Sequence, residues 1–143
     1  MPRTAPAQRP APEDAFQLAA EECGDQTAST RARALITELL HRCARTPNTA
    51  RVRGDAHLAA TELISNALRH GGGLTGFRAQ LNPEATQLSL QVEDTSSALP
   101  QLASPADPAT PGGRGWAIVK ELATACTVAL LPAGKRITVT LAV

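Results

Sequence analysis

Two pairs of strand-like segments, each joined by a short turn, most constrain the fold of this chain. The first pair is TGFRAQL and TQLSLQVE, separated by the turn-forming residues NPEA. The second pair is TVALL and RITVTLAV, separated by PAGK. Consecutive strands joined by such short turns pair antiparallel. The sequence therefore predicts an antiparallel sheet built from two hairpins.

Three segments with helical periodicity accompany the hairpins. The first begins at Ser29, a candidate N-cap, and repeats apolar residues at helical spacing as far as Pro47. The second is predicted to begin near Asp55 and to end at Gly71–Gly73, and the third is WAIVKELATAC. Each helix needs a surface that covers its apolar stripe. We therefore expect an α+β two-layer sandwich, with about three helices on one face of a mostly antiparallel sheet.

The length of 143 residues, with 43% hydrophobic and 19% charged residues, is typical of one globular domain. Residues 1–13 mix Pro, Ala and Arg without periodicity and are predicted to be a disordered leader, so the folded domain is 14–143. The following segment, AFQLAAEE, is a candidate edge strand. The aperiodic stretch from Thr95 to Pro111 is predicted to be a long, lid-like loop.

The composition argues against several classes of protein. A formal net charge of +1 provides no field that would attract DNA or an anionic membrane, and 2% aromatic residues provide no base-stacking platform. The sequence has no apolar segment fit for a signal peptide or a membrane span, so we expect a cytoplasmic protein. Cys23, Cys43 and Cys126 are widely spaced and are expected to be reduced thiols.

A carboxylate and a carboxamide stand four residues apart in the second predicted helix. At 3.6 residues per turn, Glu62 and Asn66 lie nearly in line on one face. The amide oxygen could coordinate Mg²⁺, and the carboxylate could orient or deprotonate a nucleophile. The alternative is that both side chains simply face water.

Two later segments could bind other parts of a nucleotide. Asp94 ends a strand-like run, where it could accept a hydrogen bond from an exocyclic amine such as that of adenine, or simply form a turn. In PGGRGWAIV, Gly112, Gly113 and Gly115 would let the backbone approach a polyphosphate at the start of a helix. Arg114 could add a charge-assisted contact. A glycine-rich turn before a helix is a weak signal by itself.

Together, these segments resemble, in sequence order, the motifs of the ATPase superfamily that includes histidine kinases, gyrase B and MutL. TELISNALRHGGG resembles the asparagine box, VEDTSSALP the first glycine box, and GGRGWAIV the second. GKRITVTL is similar to the final strand of the small bacterial branch. The resemblance covers about residues 15–143 and implies a Bergerat-type ATP-binding fold. The short length of the chain and the residues within these motifs look most like the anti-sigma-factor serine kinases, in particular the stand-alone actinobacterial members.

The resemblance implies a role for each matching residue. Glu62 would be the general base, Asn66 the Mg²⁺ ligand and Asp94 the adenine reader. Ser96 stands where much of the superfamily has Gly, which implies a tighter backbone approach at that point. The other implied cofactor-binding residues belong to the loop and the phosphate-binding turn: Pro100, Gly112, Gly113, Arg114 and Gly115.

The implied activity is phosphorylation, with ATP and Mg²⁺, of a serine or threonine in an anti-sigma-factor antagonist, which would control a sigma factor. No direct contact with nucleic acid or membrane is expected, and a homodimer is implied by the resemblance alone. Arginines with few acidic neighbours in the sequence form a candidate partner surface or a merely solvated basic face: Arg31, Arg33, Arg42, Arg45, Arg51 and Arg53.

Three other functions remain open at the level of the sequence. The chain could be a nucleotide-gated binding module that transfers no phosphate. It could be a stand-alone ATPase subunit that serves a separate sensor protein and transfers phosphate to histidine. A DNA-binding role would depend on the arginine cluster alone.

Overall fold

The computed structural model describes residues 15–24, 27–43, 49–70, 72–97 and 113–143. The predicted leader and most of the predicted lid, including Pro100 and Gly112, lie outside these residues. The elements in chain order are β1 (Ala15–Gln17), α1 (Ala20–Cys23), α2 (Ala28–Cys43), α3 (Thr49–His70), β2 (Leu74–Leu81), β3 (Gln87–Asp94), α4 (Gly113–Leu122), β4 (Ala125–Leu131) and β5 (Gly134–Ala142).

The five described strands form one antiparallel sheet in the order β1-β2-β3-β5-β4. Both predicted hairpins are present, as β2–β3 and β4–β5, and β5 lies beside β3. The second turn is shorter than predicted, because Gly134 and Lys135 of PAGK already pair with β4 as part of β5. In the first turn, Asn82 Oδ1 accepts hydrogen bonds from the backbone N–H groups of Thr86 (2.8 Å) and Gln87 (2.9 Å). The side chain therefore satisfies two turn donors, which is why an Asn suits this position.

The core lies between one face of the sheet and the helices. Side chains of β3 alternate between buried and half-buried positions, as a strand with one covered face requires. Helix α2 packs on β2, α3 on β3 and β5, and α4 against α3. The expected two-layer α+β fold is confirmed. The fully buried large side chains are Ile36, Leu39, Leu40, Leu63, Ile64, Leu81, Leu88, Leu90, Val92, Val119 and Val139.

Several predicted helix boundaries are wrong. Ser29 lies inside α2 instead of capping it, and α4 begins at Gly113, three residues before the predicted start at Trp116. Helix α3 begins at Thr49, and Asp55 lies within it, 3.9 Å from Arg51 Nε, instead of capping it. The apolar stripe of α3 includes Val52, which is buried and lies before Asp55. Packing of Val52 therefore extends the helix through Gly54, despite the low helix propensity of glycine. The third helix was expected to reach Cys126 but ends at Leu122, because β4 pairs with β5.

The candidate edge strand is confirmed only in its first part. Residues Ala15–Gln17 pair with β2 at the edge of the sheet, and the rest of the segment leads into the short helix α1. Cys23 and Cys126 are free thiols. Burial raises the pKa of both, and the charge of Glu22 adds to the effect at Cys23. A small thiolate fraction makes both thiols poor nucleophiles, as expected for structural cysteines.

A hydrogen bond between Thr37 Oγ1 and His57 Nε2 (2.8 Å) joins α2 to α3. Desolvation lowers the pKa of His57. A backbone hydrogen bond with Arg33 opposes part of this shift, and the charges of Arg33 and Arg53 lower the pKa further. The folded state therefore disfavours the protonated imidazole, whereas the unfolded chain binds a proton near pH 6.5.

We predict that the free energy of unfolding falls as the pH drops below about 6.5, because the unfolded chain then binds protons that folded His57 does not. The contribution of His57 to the free energy of unfolding is fully present above that pH. It is lost as the pH falls through the lowered pKa of His57 in the folded state. Urea unfolding between pH 5 and pH 7.5 should show a shallower decline for His57→Gln than for the unmodified protein. His41→Gln, at an exposed position of α2, is the control. Equal slopes for His57→Gln and the unmodified protein would contradict the prediction.

Candidate functional site

Glu62 lies against the first turn of α4. A Cβ atom placed on Gly115 would collide with Glu62 Oε2 and would lie 2.9 Å from Cδ. The buried side chains of Trp116 and Val119 anchor α4 through its apolar face. The structure therefore brings together two residues that are 53 positions apart in sequence (115 minus 62), one from each of two predicted motifs.

Asn66 follows Glu62 by one helical turn and carries a buried atom with an unmet hydrogen-bonding need. Its Oδ1 is shielded from solvent and has no hydrogen-bond partner among the described residues. A buried, unsatisfied polar atom costs about 1–3 kcal/mol, and such atoms call for an explanation such as an absent ion or water. A carboxamide oxygen is a hard ligand of the kind that Mg²⁺ prefers.

Asp94, the last residue of β3, is buried and paired. Its side chain is 3% exposed, and that of its partner Lys135 is 6% exposed. Lys135 Nζ lies 2.8 Å from Oδ2 and 3.0 Å from Oδ1. The backbone N–H of Ser96 also donates to Oδ1 at 2.9 Å. The carboxylate is therefore oriented by a side chain and by a backbone group.

Lys135 was missed in the sequence analysis, although a signal was present. Residues 135, 137, 139 and 141 alternate along β5, and the other three are the buried Ile137, Val139 and Leu141. A lysine in phase with such a row points into the core and needs an acidic partner. Asp94 lies directly opposite Lys135 in the β3–β5 register.

Contacts at the end of α3 connect Asp94 to the helix that carries Glu62 and Asn66. Gly73 N–H donates to Ala67 O at 3.2 Å, and Thr95 N–H donates to Gly73 O at 3.3 Å. Gly72 has a φ of +74°, and a Cβ there would lie 2.5 Å from Thr95 Oγ1. A glycine therefore suits this turn on both conformational and steric grounds.

The phosphate-binding and loop residues predicted from the sequence lie at the start of α4 or outside the described residues. Gly113 and Arg114 begin α4 instead of forming a separate turn before it. Pro100 and Gly112 lie outside the described residues. A cavity of about 350 Å³ occurs elsewhere, beside Arg78, Glu93 and Arg136, and contains none of the predicted site residues.

A sequence profile of the histidine kinase-like ATPase domain matches residues 13–141, and no curated protein matches the chain. The chain belongs to the histidine kinase-like ATPase family. The resemblance at superfamily level is thereby confirmed, and this ATPase-type domain is an ATP-binding regulatory domain. No helix in the described part of this ATPase domain is long and apolar enough to cross a membrane.

Asn66 Oδ1 is the described atom of this ATPase domain that would fit Mg²⁺ bound together with a nucleotide. No group of three His, Cys, Asp or Glu side chains among the described residues could hold a metal. Mg²⁺ commonly takes one or two protein oxygens and completes its coordination with phosphates and water. A single ligand such as Asn66 Oδ1 suits that arrangement.

The arginine cluster of this ATPase domain is partly paired with acids. Arg33 Nη1 also donates to Thr61 Oγ1 at 3.3 Å, between α2 and α3. Arg45 lies outside the described residues. Fewer of these arginines therefore lack an intramolecular partner than the sequence suggested. The ion pairs are Arg31–Glu22 (3.5 Å), Arg42–Glu38 (3.9 Å) and Arg51–Asp55 (3.9 Å).

We predict that Asn66→Leu stabilises the ligand-free protein while removing the magnesium-dependent part of ATP affinity. Replacing an unsatisfied amide by an apolar side chain of similar size should raise the free energy of unfolding by about 1 kcal/mol. Urea unfolding measures the first effect, and calorimetric titration with ATP, with and without Mg²⁺, measures the second. Asn82→Ala, which removes satisfied turn contacts, should instead destabilise the protein. Destabilisation by Asn66→Leu would show that the amide oxygen has a partner.

Proposed function

We propose that this domain is an anti-sigma factor with protein serine/threonine kinase activity, which phosphorylates an anti-sigma-factor antagonist. The observation that carries the proposal is the placement of Glu62 beside the first turn of α4, one helical turn from the unsatisfied Oδ1 of Asn66. A candidate base, a candidate metal ligand and a helix N-terminus, which favours anions, thus lie on neighbouring turns of two packed helices.

Each residue has a role in this proposal. Asn66 would hold Mg²⁺, and Asp94 would accept a hydrogen bond from the exocyclic amine of adenine. Bound Mg²⁺ and ATP would supply charge neutralisation and the phosphoryl group. Glu62 would take the proton from a partner's serine or threonine hydroxyl. The other proposed cofactor-binding residues are Ser96, beside Asp94, and the loop and phosphate-binding residues Pro100, Gly112, Gly113, Arg114 and Gly115.

The proposed setting follows the resemblance to anti-sigma-factor kinases. The domain would act in the cytoplasm on a sigma factor and its antagonist, as a homodimer and without direct contact to nucleic acid or membrane. The exposed arginines of α2 and α3 would contribute to a partner surface; Arg31 and Arg51 are 65% and 82% exposed despite their ion pairs. Exposed ion pairs contribute only about 0–1 kcal/mol, so a partner could replace them at small cost.

We predict that Glu62→Gln lowers phosphoryl transfer at least about 100-fold, because a positioned general base contributes roughly that much or more. ATP affinity should change by less than about threefold, since the proton is taken from the partner and not from the nucleotide. Transfer is measured from γ-labelled ATP to purified candidate antagonists, and an acid-stable product identifies serine or threonine as the acceptor. Transfer by Glu62→Gln at the unmodified rate would instead favour the nucleotide-gated binding module.

We predict that Gly115→Ala lowers transfer about tenfold or more by displacing the Glu62 carboxylate, since a small misplacement of a catalytic group has effects of that size. The clash is with the end of a flexible side chain, so the fold should persist. Gly54→Ala is the matched control, because its Cβ meets nothing within 4 Å. That change should add about 0.5–1 kcal/mol of stability and leave transfer unchanged. Unchanged transfer by Gly115→Ala would contradict the role of Glu62.

A further inference from the structure

Lys135 is a buried charge that the proposed phosphoryl-transfer chemistry does not use. Its ammonium group contacts both oxygens of Asp94 and also donates to Ser96 O at 3.3 Å. A lysine has three N–H donors, and these three contacts engage all of them. Lys135 therefore has no donor left for a phosphate and acts on Asp94 and the segment that follows it.

The hydrogen bonds of Asp94 are distributed unevenly between its two oxygens. Oδ1 receives the backbone N–H of Ser96 and the ammonium of Lys135. Oδ2 has Lys135 as its partner within the described residues. Since each carboxylate oxygen can accept about two hydrogen bonds, an acceptor position remains on Oδ2. Only a hydrogen-bond donor can occupy that position.

The backbone brings the pair together at short range. Gly134 approaches β3 so closely that a Cβ there would collide with the carbonyl oxygen of Asp94. This approach sets Lys135 directly opposite Asp94 on the covered face of the sheet. A buried ion pair contributes little net stability compared with apolar residues of similar size. The fold alone therefore does not require these charges at this position.

We propose that Lys135 is a positioning residue that determines base specificity, by holding Asp94 so that Oδ2 alone is presented to the base. The inference rests on the proposed role of Asp94 as the adenine reader. A carboxylate held in this way accepts from the exocyclic amine of adenine and is unfavourable for the carbonyl that guanine carries at the same place. Without Lys135 the carboxylate would turn toward other donors, and this discrimination would weaken.

The test compares ATP and GTP affinities by calorimetry, with Mg²⁺, for the unmodified protein and for Lys135→Met and Lys135→Gln. The unmodified protein should bind ATP at least about tenfold more tightly than GTP, the equivalent of one well-placed hydrogen bond. Lys135→Met should reduce the ATP/GTP ratio to within about threefold, and Lys135→Gln, which keeps an N–H donor, should give an intermediate ratio.

The ratio separates positioning from a structural role, because loss of structure lowers both affinities together. Lys135→Arg, which keeps the charge, should restore most of the ratio, and Arg136→Gln, on the opposite face of β5, should leave it unchanged. If Lys135→Met does not fold, the ATP/GTP ratio of Lys135→Gln is compared with that of the unmodified protein instead. An unchanged ratio in the folded Lys135 variants would overturn this inference alone. Failure of the unmodified protein to bind any nucleotide would overturn the proposed function as well.

Discussion

The contact between α3 and α4 at Gly115 is the constraint on which the candidate site depends. A glycine there leaves room for the Glu62 carboxylate, whereas any side chain would occupy its place. The anchor is apolar, since Trp116 and Val119 hold α4 by buried surface. The arrangement therefore combines an ordinary hydrophobic contact with one position that has no side chain.

The end of the sheet near Asp94 concentrates features that do not favour stability. Asn66 Oδ1 is buried without a described partner, and Asp94 and Lys135 are buried as charges. Gly134 tolerates no side chain because of its approach to the Asp94 carbonyl, and Gly72 adopts a positive φ. Elsewhere the core of the described residues is mostly aliphatic, with Cys23, Phe77 and Trp116 as the exceptions. Destabilising features that are concentrated at one end of an otherwise regular domain are typical of a binding site.

The sequence allowed the sheet to be predicted better than the site. Hairpins are local, and the turn chemistry around Asn82 is visible in a few residues, so their pairing could be read directly. The start of α3 could not be predicted in this way. Asp55 has the properties of an N-cap, and only the tertiary packing of Val52 extends the helix beyond it. The Asp94–Lys135 pair joins positions 41 residues apart, and no local rule links them. Its detection required the strand order, in which β5 lies beside β3.

Two adjacent cross-strand ion pairs show how strongly environment changes the role of the same chemistry. Glu93 and Arg136 pair on the open face of the sheet, with side chains 32% and 41% exposed. The next residues along the same two strands, Asp94 and Lys135, pair on the covered face with almost no exposure.

Water can replace either partner of the outer pair, so its loss costs about 0–1 kcal/mol. Removing one partner of the inner pair leaves a buried charge, which typically costs about 3–5 kcal/mol. The inner pair therefore admits few conformations, and this rigidity is the property that a carboxylate needs in order to present one acceptor to one donor.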